Sequence, residues 1–144
     1  MSQENVELVR RYYAALPGLR AANPDDDPAL LDRMFRDYLD EAVEIYMPPE
    51  YPEGEQVLRG REGAAQLVAM LREAWAEWRF EPERLIDVGD RVVVLVRVEG
   101  EGGASGVPLE LKTAHVWTVR NGHLSSAHLY RDRAKALEAV GLSE

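Results

Sequence analysis

Apolar positions along this chain change their spacing part-way through, and the change lays out the elements. Near the start, Val6, Val9, Tyr13 and Leu16 recur every three or four residues, widened by Leu8 and Tyr12, so the opening segment reads as an amphipathic helix. Ser2 is placed to cap it, Glu4 and Glu7 suit the positive end of its dipole, and Pro17-Gly18 is expected to end or bend it. The run AANPDDD from Ala21 to Asp27 reads as a loop. Asp27-Pro28 then opens a second helix with Leu30, Leu31, Met34, Phe35 and Tyr38 on one broad face. AVEIYM, Ala42 to Met47, is a short strand cut off by Pro48-Pro49. A long loop to Gly60 follows, of the kind that serves as a lid or rim. A third helix is expected from Ala64 to Trp78, where Leu67, Met70, Leu71, Ala74, Trp75 and Trp78 keep helical spacing.

Beyond Pro82 the apolar positions alternate instead. Leu85 to Val88 and Arg91 to Glu99 flank Gly89-Asp90 as a hairpin. Val92, Val94, Val96 and Val98 share one face and Val93 with Leu95 the other, so a second layer or a partner must cover the far side. GEGGASG, Gly100 to Gly106, is a connector. The last hairpin, Leu109 to Arg131, turns about Asn121-Gly122, a pair that tolerates positive φ at both central positions. An unbroken ladder from that turn sets Arg120 opposite His123, Val119 opposite Leu124, Trp117 opposite Ser126 and His115 opposite His128. The odd positions Leu111, His115, Trp117 and Val119 form its buried face. Asp132 caps a terminal helix carrying Ala134, Leu137 and Val140, closed by Gly141 with Leu142 beyond. Three helices with one interposed strand, then a run of strands, then a helix, argue an α+β fold occupying residues 1–144 as a single domain. Helices over one face of a curved sheet leave a conical hollow walled by the odd face of the last hairpin.

Composition narrows the partners. A chain of 144 residues buries enough surface to stand without staples, and the absence of cysteine excludes disulfides, thiolate metal sites and cysteine nucleophiles. Lys+Arg 17 against Asp+Glu 26 gives a net charge of -9, which repels nucleic-acid backbones and anionic lipid. The longest apolar run, Val92 to Val96, is too short for a membrane span, and MSQENVELVRR lacks the pattern of a signal peptide. A cytoplasmic protein without nucleic-acid or membrane partners is expected.

Candidate chemistry gathers on the last hairpin. If His115 and His128 face each other inside, two imidazoliums repel, leaving one neutral and one protonated ring near neutral pH. The same residues also serve as ordinary strand histidines bonded to Tyr130, a serine or water, and a bulge in the last strand would turn His128 away from His115. Only one of Tyr12 and Tyr13 can point at the hollow. Trp75, Trp78 and Trp117 fall on stripes that need cover, as core or as ligand stackers. His123 is expected in solvent, and Arg97 and Glu99 as a charged edge facing water or a partner. Two histidines without carboxylates at ligand spacing point to no metal, and nothing points to a cofactor.

In order and spacing, VRRYYAAL, EAVEIYMPP, LRGREG, VGDRVVVLVRVEGEG and HVWTVRNGHLSSAHLYRDRAKALEAVGL resemble the SnoaL-like branch of the nuclear transport factor 2-like superfamily across nearly the whole chain. The resemblance implies a cone-shaped α+β fold, a curved antiparallel sheet with N-terminal helices packed over its concave face, and a homodimer through the sheet. That superfamily hosts ketosteroid isomerases, polyketide cyclases, dehydratases, epoxide hydrolases and non-catalytic binding domains, so fold alone does not name a reaction. Tyr12 matches the helix-one tyrosine of ketosteroid isomerases, but their general-base position falls on Ile45, Tyr46 or Met47, with Glu44 the nearest carboxylate. Their sheet acid falls at Ala114 or His115. SnoaL-like cyclases place an acid near the end of the sheet, where SSAHLYRD offers His128.

The resulting expectation is cofactor-independent acid/base chemistry of isomerase, cyclase or dehydratase type on a small hydrophobic molecule. Its catalytic candidates are His115, His128 and Tyr12, and its pocket residues Tyr13, Tyr46, Trp78, Trp117 and Tyr130. The alternative is a non-catalytic dimer holding a hydrophobic ligand or a protein partner in the same hollow.

Overall fold

In the computed structural model the described residues are 2–21, 28–48, 56–102 and 108–142, with 16–21 and 71–78 among those described by backbone alone. Helix α1 (Ser2–Ala21) continues through Pro17 and Gly18 instead of ending there. Proline removes the one bond its own N–H would make to the preceding turn, a loss that this helix tolerates without stopping. After α2 (Pro28–Asp37), strand β1 (Leu39–Tyr46) starts earlier than its apolar run, and a short β2 (Val57–Arg59) pairs with it.

Both glycines of LRGREG have a geometric reason. Gly60 holds φ at 62° to turn β2 into α3 (Gly60–Ala74), and a Cβ on Gly63 would sit 2.6 Å from the carbonyl carbon of Leu58. Any larger side chain there would push the helix off the strand.

The tryptophans that extend the helical stripe belong to a strand. β3 (Trp75–Val88) runs antiparallel to β4 (Arg91–Gly102) along its whole length, from Trp75 opposite Gly102 to Val88 opposite Arg91. A long pairing partner outweighs a local spacing that fits either period. Pro82 is accommodated because β3 is an edge strand and its ladder shifts between Pro82 and Arg84. β5 (Pro108–Arg120) and β6 (His123–Tyr130) form the last hairpin, and α4 (Arg133–Ala139) closes the described chain. Asp132 accepts from the Ala134 N–H at 2.9 Å, and Gly141 at φ 80° lets Leu142 N–H reach the Leu137 carbonyl at 2.8 Å.

The six strands lie in the order β2-β1-β6-β5-β4-β3. All neighbours are antiparallel except β1 and β6, which run parallel, so the sheet is mixed where an antiparallel one was expected. Helices α1, α2 and α3 cover its inner face. There Val92, Val94, Val96, Val98, Trp117, Val119, Leu124 and Ala127 pack with Val9, Tyr13, Met34, Phe35 and Val68. On the outer face α4 lays Ala136, Leu137 and Val140 on Val93, Ala114 and Val116. This is the second layer that the two-sided β4 required. Arg133 fastens it, donating to the carbonyls of Thr113 and Val96, both at 3.1 Å, and to Glu83 at 2.6 Å.

Candidate functional site

The inner face of β5 carries the polar chemistry. Asn121 and Gly122 take φ of 53° and 75°, so the turn forms as their sequence requires and Arg120 meets His123, with Val119 opposite Leu124. The ladder then slips by one. Ser125 is extra, its hydroxyl donates to the Thr118 carbonyl at 3.1 Å, and from there Thr118 pairs with Ser126, Trp117 with Ala127, Val116 with His128 and His115 with Leu129. The expected facing of His115 and His128 is therefore wrong, because a single bulged residue reverses the side-chain alternation of everything beyond it.

His115 stays on the helix-covered side. Its Nδ1 lies 2.5 Å from the Tyr13 hydroxyl, and the Trp117 indole N–H donates to that same hydroxyl at 2.9 Å. Tyr13 and Trp117 are each 3% exposed, whereas His115 is only partly buried. Phe80 meets the imidazole edge-on at a centroid distance of 5.9 Å. Burial lowers His115 to about 4, so the ring is neutral at physiological pH. Burial also pushes the Tyr13 phenol well above its ordinary value, outweighing the Trp117 hydrogen bond that pulls it down. One further polar atom faces this way: the Thr113 hydroxyl oxygen is buried with no hydrogen-bond partner, two positions before His115 on the same face of β5.

The two tyrosines of α1 divide their tasks. Tyr13 makes the hydrogen bonds, while Tyr12 packs edge-on against Tyr13, Tyr38 and Trp117 at centroid distances of 5.4, 6.1 and 5.1 Å. Burial raises the Tyr12 hydroxyl, which stays protonated. Leu111, expected inside, is 38% exposed, although Val98 opposite it on β4 is buried in the inner core.

His128, Tyr46 and Tyr130 lie on the outer face. The exposed His128 ring stacks on Tyr46 at 4.2 Å and 5°, across the parallel β1–β6 pair. The Tyr46 hydroxyl donates to Glu44 at 3.1 Å, and Arg59 donates to the other Glu44 oxygen at 3.0 Å, together holding that carboxyl below its ordinary value. Desolvation, with Arg91 adding to it, lowers His128. Tyr130 packs with the α4 cluster. These three share no pocket wall with His115.

Trp78, with Trp75, lies outside the residues whose side chains are described. His123, expected in solvent, is partly buried and its Nε2 donates to the Arg36 carbonyl at 2.9 Å, tying β6 to the end of α2. Arg97 pairs with Glu81 and Glu99, and Arg79 with Glu99, on the outer face. Among the described residues no cluster of histidine, aspartate and glutamate could hold a metal, and no helix is long and apolar enough to cross a membrane. Thr113 was missed; as an odd-numbered residue of β5 between Leu111 and His115 it carried the signal that would have found it.

The fold recurs among known proteins. The sequence model of the SnoaL-like domain matches residues 9–127. No curated protein matches the chain. Among solved structures, a putative SnoaL-like polyketide cyclase from Jannaschia sp. CCS1 is similar with a TM-score of 0.71 at 20% identity, covering 99% of this chain and 95% of that one. A nuclear transport factor 2-like protein of unknown function from Burkholderia pseudomallei K96243 gives 0.70 at 23% identity, with 96% and 98% covered. TerC, co-crystallized with polyporic acid, gives 0.69 at 25% identity, with 95% and 98% covered.

Proposed function

Since the chain belongs to the SnoaL-like domain family, we propose that the inner face of its sheet takes a small, largely apolar molecule and orients it through the Tyr13–His115 pair. The hydrogen-bonded trio of Trp117, Tyr13 and His115 on an otherwise apolar, helix-covered wall is the observation that carries this reading. A few convergent polar groups on an otherwise apolar wall are the arrangement that orients a small ligand in a pocket. The reaction class is acid/base chemistry of isomerase, cyclase or dehydratase type. There the neutral His115 donates a hydrogen bond that steadies charge developing on a substrate oxygen. TerC, a similar structure, was co-crystallized with polyporic acid, which supports small-molecule binding as a use of this fold.

A second reading has its own observation. Inward positions of β4, β5 and β6 in the described residues carry no aspartate or glutamate, so a base for carbon chemistry is not supplied there, and a non-catalytic ligand-binding domain fits the same wall. The single-domain organisation and a homodimer through the outer face, where Tyr46 and His128 stack in solvent, belong to the same proposal; sedimentation tests the dimer.

Two measurements test the reading. Nitrogen-15 NMR should find His115 neutral until the pH approaches about 4, and N-phenyl-1-naphthylamine, an uncharged apolar dye, should brighten on binding. Histidines that all titrate near the free value, together with no dye uptake, would refute it. Turnover lost on Tyr13→Phe with dye binding kept would favour the enzyme over the binding domain.

A further inference from the structure

We infer that Trp117 is a positioning residue: by donating to Tyr13 it fixes the proton of His115 on Nε2, so that the site selects an uncharged ligand offering a hydrogen-bond acceptor, a ketone or aldehyde carbonyl. This rests on the small-molecule reading above and specifies the ligand class.

The argument follows the protons. An indole N–H only donates, so its bond to Tyr13 occupies an oxygen lone pair and sends the tyrosine's own hydrogen elsewhere. The acceptor within reach is His115 Nδ1, at 2.5 Å. For Nδ1 to accept it must be bare, and a neutral imidazole then carries its hydrogen on Nε2. Without the indole, Tyr13 could equally accept from a protonated Nδ1, and the two tautomers would compete. Trp117 thus acts on His115 through Tyr13 without touching it.

The consequence for recognition is directional. Tyr13 and Trp117 are almost wholly enclosed, and His115 is the partly exposed member of the trio, so the Nε2–H is the polar tip that the group presents. A donor calls for an acceptor. The Thr113 hydroxyl, buried and unpartnered on the same face, can give or take a second hydrogen bond to a hydroxyl or second oxygen on the ligand. Charged ligands fit poorly. Inward positions of β4, β5 and β6 in the described residues carry no lysine or arginine to meet a carboxylate, and an unpaired ion beside buried valines loses its hydration without compensation.

The test has two independent arms. Carbon-13 and nitrogen-15 shifts of the imidazole in the unliganded protein report the tautomer directly. Wild type should be Nε2–H, and Trp117→Phe should move the ring toward a mixture. Should Trp117→Phe fail to fold, Tyr13→Phe, which removes the same hydroxyl link with less loss of volume, must show the same mixture. An Nδ1–H wild type, or a tautomer unchanged in a folded variant, would overturn the lock. The second arm compares 1-tetralone, tetralin and 1-naphthoate as probes. The ketone should bind roughly five- to tenfold tighter than the hydrocarbon, as one net hydrogen bond provides, and should shift the Nε2–H resonance. In Trp117→Phe or Tyr13→Phe that advantage should shrink while tetralin binding holds. Naphthoate binding as tightly as the ketone would overturn the ligand class. If neither tetralin nor tetralone binds, the small-molecule reading itself falls, and the spectra of the first arm still decide the tautomer.

Discussion

His115 and His128 stand on opposite faces of one two-stranded ribbon, and most of what differs between them follows from the face each received. On the helix-covered side, His115 has one nitrogen tied to Tyr13, Phe80 against its edge, and burial holding it neutral down to about 4. On the other side, His128 lies exposed and flat on Tyr46 beside the Glu44–Arg59 pair. The same residue type is thus a desolvated polar anchor in one place and a solvated stacking surface in the other. What separates them is Ser125, the residue that breaks the ladder. A histidine's chemistry is assigned by its register as much as by its neighbours in sequence.

The comparison can be broken most severely at the bulge. Deleting Ser125 together with Ser126 would set Ala127 opposite Thr118 and His128 opposite Trp117, turning Ala127 and Leu129 outward and His128 and Tyr130 inward, and should cost more than about 4 kcal/mol or abolish cooperative folding in urea. A double deletion as stable as wild type would show that the register of β6 does not decide the faces, whereas deleting Ser125 alone keeps His128 opposite Val116 and should leave the faces as they are. Next in size, Leu124→Ala empties a fully buried position of the inner core and should cost about 3 kcal/mol, against a smaller loss for Leu137→Ala on the buried side of α4. Urea midpoints in the reverse order would mean that the outer layer carries more of the fold than its extent suggests.

Acid sharpens the contrast. The folded value of His115 lies below the unfolded one, so the unfolded chain binds a proton first and stability falls as pH drops from about 6.5 toward about 4. The loss reaches about 3 kcal/mol at the lower end. His115→Gln should flatten that limb of a stability–pH curve, and a curve unchanged by it would place the acid sensitivity elsewhere. Tyr13→Phe leaves the Trp117 N–H and His115 Nδ1 without partners and should cost about 2 kcal/mol in chemical denaturation. The smallest effect belongs to the exposed side: His128→Ala removes a solvent-facing stack and should change stability by less than about 1 kcal/mol.

Much of the site was readable before the fold. The alternation of β5 already set His115 and Trp117 on one inward face, and helical spacing aimed Val9 and Tyr13 at the same layer. The choice of Tyr13 over Tyr12 was not legible, since adjacent residues on a helix differ in direction by only about 100° and both lie near the apolar stripe. Nor was the trio itself, whose members come from α1 and β5 and meet only through folding.

Where a feature needs only its own few residues, the amino-acid order was sufficient. Asn121-Gly122 makes its turn because these two residues tolerate positive φ, Asp132 caps because its carboxylate reaches an N–H two residues on, and Gly141 closes α4 because it has no Cβ to clash. The tertiary structure decided the rest. Trp75 to Trp78 fits a helix locally and becomes strand because β4 offers it a full-length partner. β1 lies parallel to β6 because α2 and its turn deliver it there, with Leu124 N–H bonded to the Tyr38 carbonyl at 2.8 Å. The register past Ser125 follows the burial of Ala127 and Leu129 against the inner core, an energy that exists only once helices and sheet have met.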